Sequence, residues 1–183
     1  FLFGARDVWF VIALPVYLSS ALGWDFWLVG GFMASWVIGY GLVQSIAPRL
    51  TGRQQVPAGR SAAGWALLLA LLPAAIALGM QLAPQSASAV LIGGLLLFGV
   101  VFAINSSLHS YLIVSYAKGD GVSLDVGFYY MSNAMGRLIG TLLSGWVYQQ
   151  YGLAACLWTS SAFVLLAGLI SLGLPAQRTP QQG

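Results

Sequence analysis

Apolar stretches of about twenty residues, almost free of charge, alternate along the chain with short polar breaks, and this spacing predicts the architecture before any motif does. At about 1.5 Å of rise per residue, such a stretch wound as a helix crosses the roughly 30 Å hydrocarbon core of a bilayer with its backbone hydrogen bonds satisfied internally. Six stretches can be marked: 1–22, 26–47, 61–82, 89–114, 125–150 and 153–174. Between them lie the Gly23-Trp24-Asp25 turn, the long break 48–60, the break from Ala83 to Ser88, the loop around Lys118, Gly119, Asp120 and Gly121, and the pair Tyr151-Gly152. Strict alternation over roughly ten residues, which a transmembrane barrel strand requires, is absent. The expectation is an all-α polytopic membrane protein with six transmembrane helices.

Within the stretches the pattern is uneven. The first contains Arg6, Asp7 and Pro15; membrane helices tolerate proline where neighbours re-satisfy the freed carbonyl. The second has a small-residue ridge at Gly31, Ser35 and Gly39 and is expected to end at Pro48. The third, with Pro73, is monotonously apolar and reads as a lipid-facing support helix. The fourth changes character halfway, where Asn105, Ser106, Ser107, His109, Ser110 and Tyr111 crowd together and Asn105 and His109 share a face at i, i+4. The fifth places Arg137 in an otherwise apolar run, four residues after Asn133, on a helix where Gly136, Gly140 and Ser144 recur every four residues.

Composition sharpens the class. Of 183 residues 59% are hydrophobic, only 6% are charged and none is Glu, so a soluble domain is excluded. Cys156 stands alone and cannot form an internal disulfide, no Cys/His cluster offers a metal site, no nucleotide-binding motif is present, and no cofactor is called for. The formal charge of +3 is a topology signal rather than a nucleic-acid footprint. The breaks after spans two and four and the C-terminal tail hold three, one and one Lys or Arg (Arg49, Arg53, Arg60; Lys118; Arg178), and those after spans one, three and five hold none. The positive-inside rule then puts the C-terminus in the cytoplasm. Trp24 and Trp27 at one outer turn, and Tyr148, Tyr151 and Trp158 at another, fit an interfacial aromatic belt. The chain begins inside a span without an initiator Met, which suggests a piece of a longer protein.

The intramembrane charges are the candidate chemistry, because a charge in hydrocarbon is costly and is a functional-site hypothesis by default. Arg137 is twelve residues after Asp125, roughly 18 Å into the membrane. Counting back from Lys118, His109 comes out roughly 13 Å deep and Asn105 roughly 20 Å deep. Arg6, counted from Gly23, falls toward the cytoplasmic part of the core, within a long side chain's reach of that level. The sharp expectation is that Arg6, His109 and Arg137, helped by Asn105, Asn133 and Tyr130, line a positively polarised cavity for a small anionic solute. Arginine suits this because its planar fork grips oxyanions with two parallel hydrogen bonds. Asp7 would be the counter-charge released when solute arrives, or a proton carrier. Structural readings stand beside each: Arg6 snorkelling to headgroups, Arg137 with Asp7 as an inter-helix strut, His109 as a hydrogen-bonded structural residue, and Asn105 and Asn133 as helix glue. Arg6 and Asp7, about 100° apart on an α-helix, are expected to be poor mutual partners.

Six spans, the basic break after the second, and the Asn133-Ala-Met-Gly136-Arg137-Leu-Ile-Gly140 helix resemble the C-terminal half, spans seven to twelve, of a major facilitator superfamily transporter. Pro48-Arg49-Leu50-Thr51-Gly52-Arg53 looks like a worn copy of that superfamily's Asp-Arg-x-Gly-Arg loop, lacking the Asp and one residue longer. The resemblance implies one half built as a 3+3 inverted repeat, its partner the missing N-terminal six-helix half, rocking about a midplane site in the bacterial inner membrane. More narrowly, FLFGARDVWFVIALPVYL, WDFWLVGGFMASWVIGYGLVQSIAPRL and VGFYYMSNAMGRLIGTLLSGWVYQ are similar to the ArsJ family of organoarsenical efflux carriers. That likeness implies export of 1-arseno-3-phosphoglycerate, formed when a glycolytic dehydrogenase uses arsenate in place of phosphate. A carrier for another solute, such as a sugar phosphate, drug or metabolite, and a membrane-embedded enzyme using His109, Asp7 and Arg137 are the alternatives.

Overall fold

The computed structural model describes residues 1–50, 59–116 and 122–173, and every regular element among them is helical. In chain order these are α1 (Leu2–Ala5), a 3-10 turn (Arg6–Trp9), α2 (Ala13–Ser20), α3 (Phe26–Leu50), α4 (Gly59–Leu82), a 3-10 turn (Pro84–Ser86), α5 (Ala87–Tyr116) and α6 (Val122–Ser171). Among the described residues five helical stretches are long and apolar enough to cross a membrane, the last of them 49 residues long. Helix α3 runs two residues past Pro48, a shift within the usual fraying of helix ends. Arg53, the loop around Lys118, Gly119, Asp120 and Gly121, and the tail with Pro175 and Arg178 lie outside the described residues.

The first stretch is not the continuous helix expected from its length. It breaks between Trp9 and Ala13, just before Pro15. Proline has no N–H to donate to the carbonyl four residues back, and its ring clashes with that carbonyl, so the helix yields on its N-terminal side. The break strands backbone groups inside the apolar region, and α6 takes up one of them: the Ala13 N–H donates to Ser144 Oγ at 3.0 Å, both residues buried.

Helix α6 is interrupted at Gly152, whose φ of 77° and ψ of −176° are open to glycine and strained for other residues. The chain doubles back there. Cys156 Sγ lies 3.9 Å from the Ser144 carbonyl, whereas residues twelve apart on a straight helix would be roughly 18 Å apart. The first arm, 122–151, packs on α1, the 3-10 turn and α2; the second arm, 153–171, packs on α4, with Ser161 Oγ donating to the Ala70 carbonyl at 2.7 Å. The turn after α2 sits at the same end as this reversal, since Ser20 Oγ and Tyr148 Oη approach to 3.4 Å. There Gly23 takes a φ of 69° and Asp25 caps α3, its Oδ1 accepting from the Leu28 N–H at 2.7 Å.

The small-residue stripe on the first arm is where backbone meets backbone. A Cβ on Gly136 would collide with the Phe1 carbonyl, one on Gly140 with the Ala5 carbonyl, and one on Gly4 with the Asn133 carbonyl. These glycines exist to let α1 lie against the arm, which is the small-xxx-small mode of membrane helix packing. The matching ridge on α3 is not used this way: nothing lies within 4 Å of a Cβ built on Gly31 or Gly39. Ser35 and Gly39 instead line an apolar groove of about 380 Å³ between α3 and α5, bounded by Trp36, Tyr40, Leu96 and Gly99. Helix α4 buries Ala63, Ala66, Leu69, Ala70, Ile76 and Ala77 and exposes Leu68, Leu71, Leu78 and Leu82, as a support helix between neighbours and lipid should.

These contacts predict opposite outcomes for two glycine substitutions, read as melting midpoints of the purified protein. Gly140→Ala should destabilise by about 2 kcal/mol or more, because the collision is with backbone that cannot rotate away. Gly145→Ala, which meets nothing within 4 Å, should be neutral or gain up to about 1 kcal/mol in helix propensity.

Candidate functional site

The glycine contact brings the charges of the first stretch level with Arg137. Asp7 bridges two guanidinium groups: Arg137 Nε donates to its Oδ2 at 2.9 Å, and Arg6 Nη2 stands 3.5 Å from its Oδ1. The Arg6–Asp7 pairing corrects the expectation from α-helical spacing. The 3-10 turn sets the two Cβ atoms no closer in angle than an α-helix would; the long arginine arm makes the contact by folding back on itself, also donating from Nη1 to the Phe3 carbonyl. The two arginines differ sharply in setting. The Arg6 side chain is 6% exposed and the Arg137 side chain 60%. Arg137 therefore spends its Nε on Asp7 while most of its side chain stays exposed. Two positive groups against one carboxylate leave a surplus of one positive charge.

Helix α5 forms the opposite wall. The Arg6 guanidinium lies 3.8 Å from the centroid of Phe102 and 4.3 Å from that of Phe3. His109 stacks on Phe3 with centroids 4.5 Å apart and planes 13° from parallel. Phe102 stacks in turn on Tyr40 of α3, at 4.8 Å, and Tyr40 on Trp36, at 5.8 Å. Trp36 is pinned by its indole N–H, which donates to the Leu95 carbonyl at 2.9 Å. Asn105 is fully buried, on the α5 face that also presents Phe102 and His109. Among the described residues, Arg6 Nε, both amide atoms of Asn105 and His109 Nε2 are buried without a hydrogen-bond partner.

The structure thus brings Arg6, Asp7 and Arg137 into one row, joins His109 to it through Phe3, and places Asn105 on the enclosed α5 face behind it. Asn133 is half-buried, its backbone carbonyl against Gly4. Tyr130 is exposed, edge-on to Tyr129 at 5.5 Å. Tyr130, Asn133 and Arg137 lie at i, i+3 and i+7, along one side of the arm. The rings of Phe3, Phe102 and Tyr40 were missed from sequence. A signal for Phe102 was there: Phe98, Phe102, Asn105 and His109 follow one helical stripe, of which only the polar members were read. Among the described residues no three His, Cys, Asp or Glu side chains gather as a metal site would require.

The family model described as Major Facilitator Superfamily covers residues 1–183. No curated protein and no solved structure matches the chain.

The geometry ranks the members of the ion row. Asp7→Asn should lower stability by about 3 kcal/mol, since it leaves a buried guanidinium without its counter-charge, whereas Arg137→Gln, which removes the exposed partner, should cost at most about 1 kcal/mol. Chemical denaturation of the purified protein in mild detergent measures both, and equal losses would contradict the difference in setting between Arg6 and Arg137.

Proposed function

The chain belongs to the major facilitator superfamily, and we propose that it exports a small organic anion by alternating access, with Arg137 as the group that grips the anion. Membership makes it a membrane-embedded secondary transporter rather than an enzyme. The observation that supports the finer reading is the divided state of Arg137: one nitrogen on Asp7 at 2.9 Å, most of the side chain exposed. A guanidinium so placed exchanges one carboxylate for another at little cost. Solute oxyanion takes the open fork, Asp7 falls back on Arg6 or accepts a proton, and reversal of that exchange releases the solute. Tyr130 and Asn133 flank Arg137 along the same side of the arm, and Arg6, Asn105 and His109 form the polar layer behind it.

In this reading the doubled-back α6 makes two crossings, so that the chain crosses six times as spans seven to twelve of a twelve-span carrier in the bacterial inner membrane. Its C-terminus is cytoplasmic, as the bias of Lys and Arg indicates. Each half of such a carrier is a 3+3 inverted repeat, and the halves rock about a site at mid-depth. The solute we favour is 1-arseno-3-phosphoglycerate, supported by the likeness of the first two spans and of segment 126–149 to organoarsenical efflux carriers. A multiply anionic ester suits a site with surplus positive charge.

Cells carrying the full-length protein together with the dehydrogenase should retain several-fold less arsenic when given arsenate than cells with the dehydrogenase alone. Arg137→Ala should return retention to that higher level while folded protein remains in the membrane. Full export by Arg137→Ala would remove this residue from the site, and unchanged retention with the unsubstituted carrier would remove the proposed solute.

A further inference from the structure

Arg6 and Arg137 share Asp7 but are held in different ways, and the difference lies in the rings. Arg137 can draw a second partner from outside. Arg6 cannot: it is enclosed, its Nε has no partner, and its charge rests on Asp7, the Phe3 carbonyl and two aromatic faces. A guanidinium over an aromatic ring gains most where both are desolvated. The nearer ring, Phe102, comes from α5, and no Cα of α1 or the first 3-10 turn lies within 8 Å of that helix. Side chains alone span the gap, with Phe102 set against Tyr40, their planes 20° apart.

We propose that Phe102, backed by Tyr40, is a positioning residue that decides how Asp7 is divided between the two arginines. With the ring in place, Arg6 is stabilised by the aromatic face and Asp7 stays on Arg137, at 2.9 Å against 3.5 Å to Arg6. Without the ring, Arg6 keeps the Phe3 carbonyl and ring but loses its nearer aromatic face and leans on the carboxylate, so that Asp7 swings to it and Arg137 loses its internal counter-charge. An anion then binds Arg137 without displacing Asp7, so it binds more tightly and leaves more slowly. Only the kinetic consequence rests on the anion-export reading; the hold of the ring on Arg6 does not.

Two measurements on the full-length protein separate these parts. In nanodiscs with ¹⁵N-labelled arginine, the ring current of Phe102 should shift the guanidinium protons of Arg6 upfield, the signal being assigned by its loss in Arg6→Lys. Phe102→Leu should remove about half of that shift, leaving the part due to Phe3, and Phe102→Trp should keep it in full. A shift that is undiminished in Phe102→Leu overturns the proposal. In everted vesicles where the dehydrogenase makes the arsenylated ester, Phe102→Leu should lower both KM and the maximal rate of arsenic uptake, each about tenfold, and Phe102→Trp should restore both. A lower maximal rate at unchanged KM is what a purely structural loss produces, and it too would overturn the positioning role. If wild-type vesicles take up no arsenic, the proposed solute is refuted, and the nanodisc comparison alone decides whether Phe102 holds Arg6.

Discussion

One carboxylate has to serve two guanidinium groups in an apolar setting, and much of the structure is an answer to that shortage. Left to Coulomb attraction alone, Asp7 would neutralise one arginine and abandon the other, and an abandoned buried charge is among the costliest things a fold can contain. The chain avoids this by giving the two arginines different second partners. Arg6 is enclosed by Phe3 and Phe102, whose electron-rich faces substitute for a counter-ion. Arg137 is left more than half exposed, with its Nε on Asp7. The result is a buried charge fixed by rings and carbonyl behind an exposed one held by a single contact.

Placing three charges in register across two chain segments requires tight backbone geometry, which the glycines supply. Gly4, Gly136 and Gly140 remove the side chains that would separate α1 from the first arm of α6, so Asp7 reaches Arg137 directly. Ser144 continues the stripe with a different task, accepting the amide that the Pro15 break sets loose. Opposite this interlock the character changes. The wall made by α5 meets the same residues through rings, and it is here that the unpartnered polar atoms of Asn105 and His109 are found. One side of the site is thus fastened by backbone and the other by stacking, which is weaker and easier to part.

Much of this was readable from residue order. The positions of the helical stretches follow from hydrophobic length, the reversal falls at Gly152 beside the boundary that length alone suggests, and Arg137 with Gly136, Gly140 and Ser144 marked the key helix because charge and small residues are both rare and purposeful there. What escaped was local geometry. The angle between Arg6 and Asp7 was weighed without the length of the arginine side chain, which folds back far enough to reach both the Phe3 carbonyl and the neighbouring carboxylate. Phe102 and Tyr40 escaped because aromatic residues in an apolar run look like ordinary packing until the charge beneath them is located. Nor does residue order show which side of Arg137 would be open, since exposure depends on helices far away in sequence.

The interlock of α1 with α6 has a consequence for how the site can respond to anything that happens around it. Side-chain contacts have soft coordinates, because rotamers trade distance for torsion; contacts between backbone atoms through glycine have none. The spacing between the Arg6, Asp7 and Arg137 backbones is therefore close to a constant of the molecule, and no modest force on the bundle can tune the row by stretching it. What remains adjustable is pairing. The row behaves less like a spring than like a selector, in which discrete changes of partner, rather than graded changes of distance, set the local field.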